Sequence, residues 1–261
     1  MKLKIKFPRL ELKTKIYIAL FFSFLLILSL ISYIITSQYY FYEYKKSINE
    51  ITEINKELMK FNEKLEADNN QLRESLNNLE ELYDQAQKIK YHIMEKRREV
   101  EKLFRVRVIP NEEITEIAYA FLHVSKKYNI PITTLLTIGW VESWYDRNAI
   151  GPCGERGLIQ VWGKTFDSIN RNLKLSANFH EWRDTLEVGA IYLRDLQNRY
   201  KSYQNDVRYD LIFAGYNGGS GNANAVILRK ETNTQAKKTV KNYVSRARVV
   251  HQEVLERNRT I

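Results

Sequence analysis

One carboxylate in this chain stands where chemistry would need it. Ile132 to Val141 are almost wholly apolar and read as a buried helix of about three turns, and Glu142 stands at its end. Beyond it the chain turns polar and glycine-rich, through Asp146, Asn148, Gly151, Pro152, Gly154 and Gly157. A carboxylate is costly to bury unless something uses it. Set at the mouth of an apolar helix and roofed by a glycine loop, it acquires the raised pKa of a catalytic acid. The same pattern also describes a helix-terminal Glu that simply reaches solvent, and the residues alone leave both readings open.

The stretch ESWYDRNAIGPCGERGLIQVW resembles the signature of the lytic transglycosylases of the soluble-transglycosylase (SLT) type. Their domain is a mainly helical relative of goose-type lysozyme. Glu142-Ser143, Asn148-Ala149 and Gly157-Leu158-Ile159-Gln160 stand at the family's spacings. Downstream, Gly189-Ala190-Ile191-Tyr192-Leu193, Tyr216-Asn217 and Asn242-Tyr243-Val244 are similar to further family segments in the same order. The likeness covers roughly Asn111 to Val250.

The resemblance implies a mainly α fold with a lysozyme-like (SLT) domain, acting on peptidoglycan without a cofactor. Glu142 would be the single acid and base. It would protonate the bond between N-acetylmuramic acid and N-acetylglucosamine, then accept the C6 hydroxyl proton as a 1,6-anhydro ring closes. Gln160, Trp162, Tyr216 and Asn217 would line the sugar groove, and Tyr243 would hydrogen-bond the acid. By its own pattern, Tyr243 also reads as a core aromatic on an amphipathic helix. Gly151, where many members have Ser, and Trp162-Gly163, where Met-Pro is usual, depart from the family. Ordinary glycosidases pair the acid with a second carboxylate, and Asp146 is the nearest candidate by spacing. Hydrolysis, as in goose-type lysozyme, is therefore an alternative. A coiled-coil tether with a glycan-binding domain is another.

The elements that must position these groups follow from turn signals. All ten glycines lie between Gly139 and Gly221, and Arg9 to Ile109 has neither Gly nor Pro, so the first part reads as nearly one continuous helix. A domain over 107–261 is expected to fold by itself after a hinge at Arg105 to Pro110. Its helices are expected to begin with one capped by Asn111 and another starting at Pro131. Three more are expected at Arg183–Tyr200, Asp210–Asn217 and about Thr234–Glu256, with no more than a small sheet.

Upstream of that domain, residues 1–15 carry +5, residues 16–106 carry −1 and the remainder +6 of the net +10. Ile16 to Thr36 has no charge, Gly or Pro over 21 residues, enough to span a hydrocarbon core of ~30 Å. It exceeds a signal-peptide core and no Ala-x-Ala-like site follows. An uncleaved single-pass anchor is expected, with the basic end cytoplasmic, the domain outside, and Tyr39 to Tyr44 at the outer interface. Ile51, Leu58, Leu65, Leu72, Leu79, Ala86, Ile93 and Val100 then repeat every seven residues. A second seam three residues on fails at Asp68, Ser75 and Lys96. Over 37–106 this predicts a coiled-coil stalk, pairing as a homodimer or with a partner helix. One cysteine, Cys153, excludes an intrachain disulfide and reads as a small space-filler. The four histidines show no metal-ligand spacing, and no nucleic-acid-binding pattern is present.

Overall fold

The computed structural model describes residues 11–104 and 106–259, with side chains to residue 257. The basic residues 1–10, on which the expected orientation rests, and the hinge residue Arg105 lie outside the described residues. The chain divides into two compact units, one up to Leu76 and one from Asn77 onward.

The first unit is helical from Leu12, the start of α1 (Leu12–Phe104). With no Gly or Pro to interrupt it, the ladder of backbone hydrogen bonds runs unbroken. Ile16 to Thr36 is exposed throughout, and α1 is long and apolar enough there to cross a membrane. Three of its hydroxyls are satisfied within the helix. Ser23, Ser29 and Thr36 donate to the carbonyls of Ala19, Leu26 and Ser32. Ile51, Leu58, Leu65 and Leu72 are all exposed.

The second unit contains the rest of α1 with α2 (Asn111–Tyr128), α3 (Ile132–Ser143), α4 (Gly163–Leu173), α5 (Trp182–Arg199), α6 (Asn205–Ala223), a π-helical turn (Asn224–Leu228) and α7 (Gln235–Arg259). α3 is the inner helix, packed on α2 and α7. Thr133 to Gly139 are buried along it. The other contacts run α2 to α5, α4 to α5, α5 to α6 and α6 to α7. Among the described residues there is no strand, only isolated bridges joining Ile150 to Arg156 and Arg156 to Val161.

Several expectations are corrected. The compact unit begins at Asn77 and takes in Ala86, Ile89, Ile93 and Val100 of α1, which are buried. Lys96, which breaks the second seam, is buried too, against Glu253 at 2.5 Å and the Trp140 ring at 5.5 Å. Asn111 does not cap α2: Pro110 occupies that position, without a side-chain cap. α6 does not stop at Asn217. It runs on to Ala223 across a break at Gly219, whose φ of 77° only glycine adopts freely. α4 was not foreseen, since only Phe166 of its residues is buried. Cys153 is exposed and fills no interior space.

Candidate active site

Glu142 occupies the last turn of α3, where the helix is closed by two consecutive left-handed residues, Trp144 and Tyr145, with φ of 52° and 62°. Their N–H groups donate to the carbonyls of Trp140 and Gly139, each at 3.1 Å, so the turn carrying Glu142 is tied off at its exit. Ser143 adds a second tie. Its hydroxyl lies 2.7 Å from the Leu158 carbonyl and so joins the end of α3 to the glycine loop.

Among the described residues the Glu142 carboxyl has one direct partner. The Tyr243 hydroxyl, from the buried face of α7, donates to its Oε1 at 2.7 Å. Burial pushes the carboxyl from an ordinary 4.5 up to about 7. The Tyr243 hydrogen bond and the charge of Arg246 oppose this, while the charge of Glu155 adds to it. Desolvation therefore wins, and the group can hold or release a proton near neutrality. Burial and the neighbouring Glu142 charge raise the Tyr243 phenol well above its usual value, so Tyr243 stays a donor.

Tyr216, on α6, lies beneath the same site. Its hydroxyl donates to the Ile159 carbonyl at 2.5 Å, and its ring lies 5.8 Å from that of Tyr192. Burial, then the charge of Glu142, raises its pKa well above the ordinary value. Asn217, the next residue, is exposed. Gln160 has a left-handed backbone, φ 50°. Its amide donates to the carbonyls of Ala149 and Gly157 at 3.0 and 2.9 Å, so both N–H groups brace the loop and its Oε1 is the atom left for other partners. Trp162 is half exposed at the start of α4, with the Lys164 ammonium 5.0 Å from its ring centre.

The loop is held down from α5. A Cβ on Gly189 would collide with Ile159 and Val161, so the missing side chain lets α5 come directly under this segment. Asp146 does not share a helical face with Glu142, because α3 ends before it. It accepts from Arg107 at 2.9 Å and from the Asn148 N–H at 3.0 Å.

The sequence reading missed Glu155 and Arg246, the two charges that act on Glu142. Arg246 was within reach of the pattern, three residues past Tyr243 on the same helix. Glu155 was not, since it is one charge among the turn residues of the loop. Its carboxylate accepts from the Cys153 N–H at 2.9 Å, and a Cβ on Gly151 would strike both it and Gln160 Oε1. The Gly151 departure thus accompanies a carboxylate that fills the space. Among the described residues no group of three His, Cys, Asp or Glu is placed to hold a metal ion.

Residues 120–240 match the family model described as the transglycosylase SLT domain. The matched stretch contains Glu142, Gln160 and Tyr216 and ends just short of Tyr243. No curated protein matches the chain.

Proposed function

Because residues 120–240 carry a transglycosylase SLT domain, we propose that this chain is a membrane-anchored lytic transglycosylase. It would cleave the MurNAc–GlcNAc β-1,4 bond of peptidoglycan without water. The observation that carries the reading is Glu142, a desolvated carboxyl near pKa 7 held by one tyrosine. Protonated, it donates to the leaving glycosidic oxygen. As the carboxylate, it accepts the C6 hydroxyl proton while the 1,6-anhydro ring closes, assisted by the substrate's own N-acetyl group. Tyr243 keeps the carboxyl aimed in both states. Tyr216, Asn217, Gln160 Oε1 and Trp162 supply stacking and hydrogen-bonding surface for the sugars. Ile16 to Thr36 anchors the chain with the domain on the wall side, and the exposed seam Ile51–Leu72 pairs with a second copy.

Glu142→Gln keeps the size and removes the transferable proton, so turnover should fall by about 100-fold or more. Glycan binding should persist. Wild-type products should be 1,6-anhydro sugars, lighter by one water than hydrolytic ones. Near-normal turnover by Glu142→Gln overturns the assignment. Glu155 favours one second reading, a hydrolase in which it activates water. Reducing-end products, lost in Glu155→Gln, would establish that instead.

A further inference from the structure

The SLT match begins at residue 120, yet the residues just past Glu142 are gripped from before it. Consecutive left-handed, non-glycine residues such as Trp144 and Tyr145 cost about 1–3 kcal/mol each and persist only when their surroundings hold them. The last turns of α1 and the segment after it do so at several points. Arg97, 2% exposed, donates to the Trp144 carbonyl at 3.0 Å and also to the Arg107 carbonyl. Its Nε faces Glu101 at 3.4 Å, and that carboxylate also accepts from the Ile109 N–H. A buried guanidinium so fully engaged has little freedom to move.

The neighbouring residues are held as well. Tyr145 donates its one hydroxyl proton to the Leu136 carbonyl at 3.0 Å, so His92 Nε2, 3.1 Å away, is the donor to the Tyr145 oxygen. The Phe104 ring stacks on Trp144 at 5.4 Å. Arg107 pairs with Asp146 and Glu113. Residues 144, 145 and 146 are each held in turn.

We propose that the end of α1 and the segment after it form a positioning clamp for Glu142, with Arg97 as its principal residue. Arg97 fixes the Trp144 carbonyl and therefore the turn that closes α3. That turn sets where the Glu142 carboxyl stands relative to Tyr243. The inference rests on Glu142 being the acid, and it makes catalysis depend on residues outside the matched domain.

The test uses the full chain in detergent micelles and soluble glycan strands cut from peptidoglycan. Arg97→Lys keeps the charge but loses the planar fork. It should lower kcat on the order of 10-fold, with KM little changed, as misplacement of a catalytic group does. Ile89→Ala is the control: it opens the core on the same helix, where Ile89 belongs to one buried cluster with Leu122 and Ile130, and should keep kcat at a matched loss of melting temperature. Equal kcat losses in the two would reduce Arg97 to a structural residue. Phe104→Ala removes an exposed ring, so it keeps the test open if Arg97→Lys does not fold. A smaller kcat loss is expected, and unchanged kcat there would overturn the clamp.

A readout without substrate separates this from the functional reading. The carboxyl NMR titration of Glu142, assigned by its absence in Glu142→Gln, should move down from about 7 in Arg97→Lys and in Phe104→Ala but not in Ile89→Ala. An unmoved titration overturns the clamp whatever the glycan assay gives. Full turnover by Glu142→Gln overturns the acid assignment instead.

Discussion

The heptad of α1 meets two fates. Ile51, Leu58, Leu65 and Leu72 are 57%, 52%, 49% and 69% exposed, whereas Ala86, Ile93 and Val100 are 1%, 0% and 4% exposed. Spacing and residue class are the same in both halves. What differs is the local company. The downstream half enters a core with Ile117, Phe121 and Tyr145, while among the described residues of its own unit the upstream half has no second helix against it. A heptad therefore marks a face that seeks cover without saying what covers it. The polar interruptions are informative in the same way. Asp68 and Ser75 remain exposed, but Lys96 is buried beside an acidic partner and an aromatic ring, which is how a core accommodates a cation.

The sharpest way to break the contrast is to cut between the halves. A fragment 77–261 should melt cooperatively. A fragment 107–261 loses Ala86, Ile89, Ile93 and Val100 from the interior, at roughly 1.5–3 kcal/mol for each larger aliphatic side chain, and should not hold the fold. Circular dichroism melts decide it, and equal melting temperatures would erase the distinction.

Single substitutions should show the same asymmetry on a smaller scale. Ile93→Ala should cost about 2–5 kcal/mol in chemical denaturation. Leu65→Ala should change the fold's stability by no more than about 0.5 kcal/mol while weakening self-association in sedimentation. Equal losses of stability would mean that the upstream seam is covered within one chain.

A pH dependence should also be confined to the buried half. Burial, followed by the charges of Arg257 and Lys96, holds His92 down from 6.5 to about 4. Between those values the unfolded chain binds a proton that the native state refuses. The stability is thus complete above pH 6.5 and is lost as pH falls toward 4, by at most about 3 kcal/mol. His92→Gln should flatten the fall in melting temperature between pH 7 and pH 5. An unchanged slope would assign the acid sensitivity to other groups.

Most helices were legible because their signals are local. The apolar run before Glu142, the proline ahead of it and the absence of Gly and Pro from α1 each act within a few residues. The site was legible in part. Glu142 stood out because an acid closing an apolar helix is an anomaly in its own window. Its bond to Tyr243 spans 101 positions, so periodicity could not reach it and only a resemblance could suggest it. Glu155 went unread because its effect depends on how the loop folds back across Gly151. The clamp went unread because Arg97 and His92 sit in a helix whose visible pattern pointed to pairing with another chain.

The contact at Gly151 also bears on how such a loop can change over time. A side chain there meets the carboxylate end of Glu155 and the amide end of Gln160 as they now stand, so the choices at positions 151 and 155 are coupled rather than independent. Ser at 151 makes Glu155 and Gln160 swing their ends aside, and Glu at 155 takes its present place most easily where 151 has no side chain. Contacting residues of this kind are where the effects of substitutions stop adding.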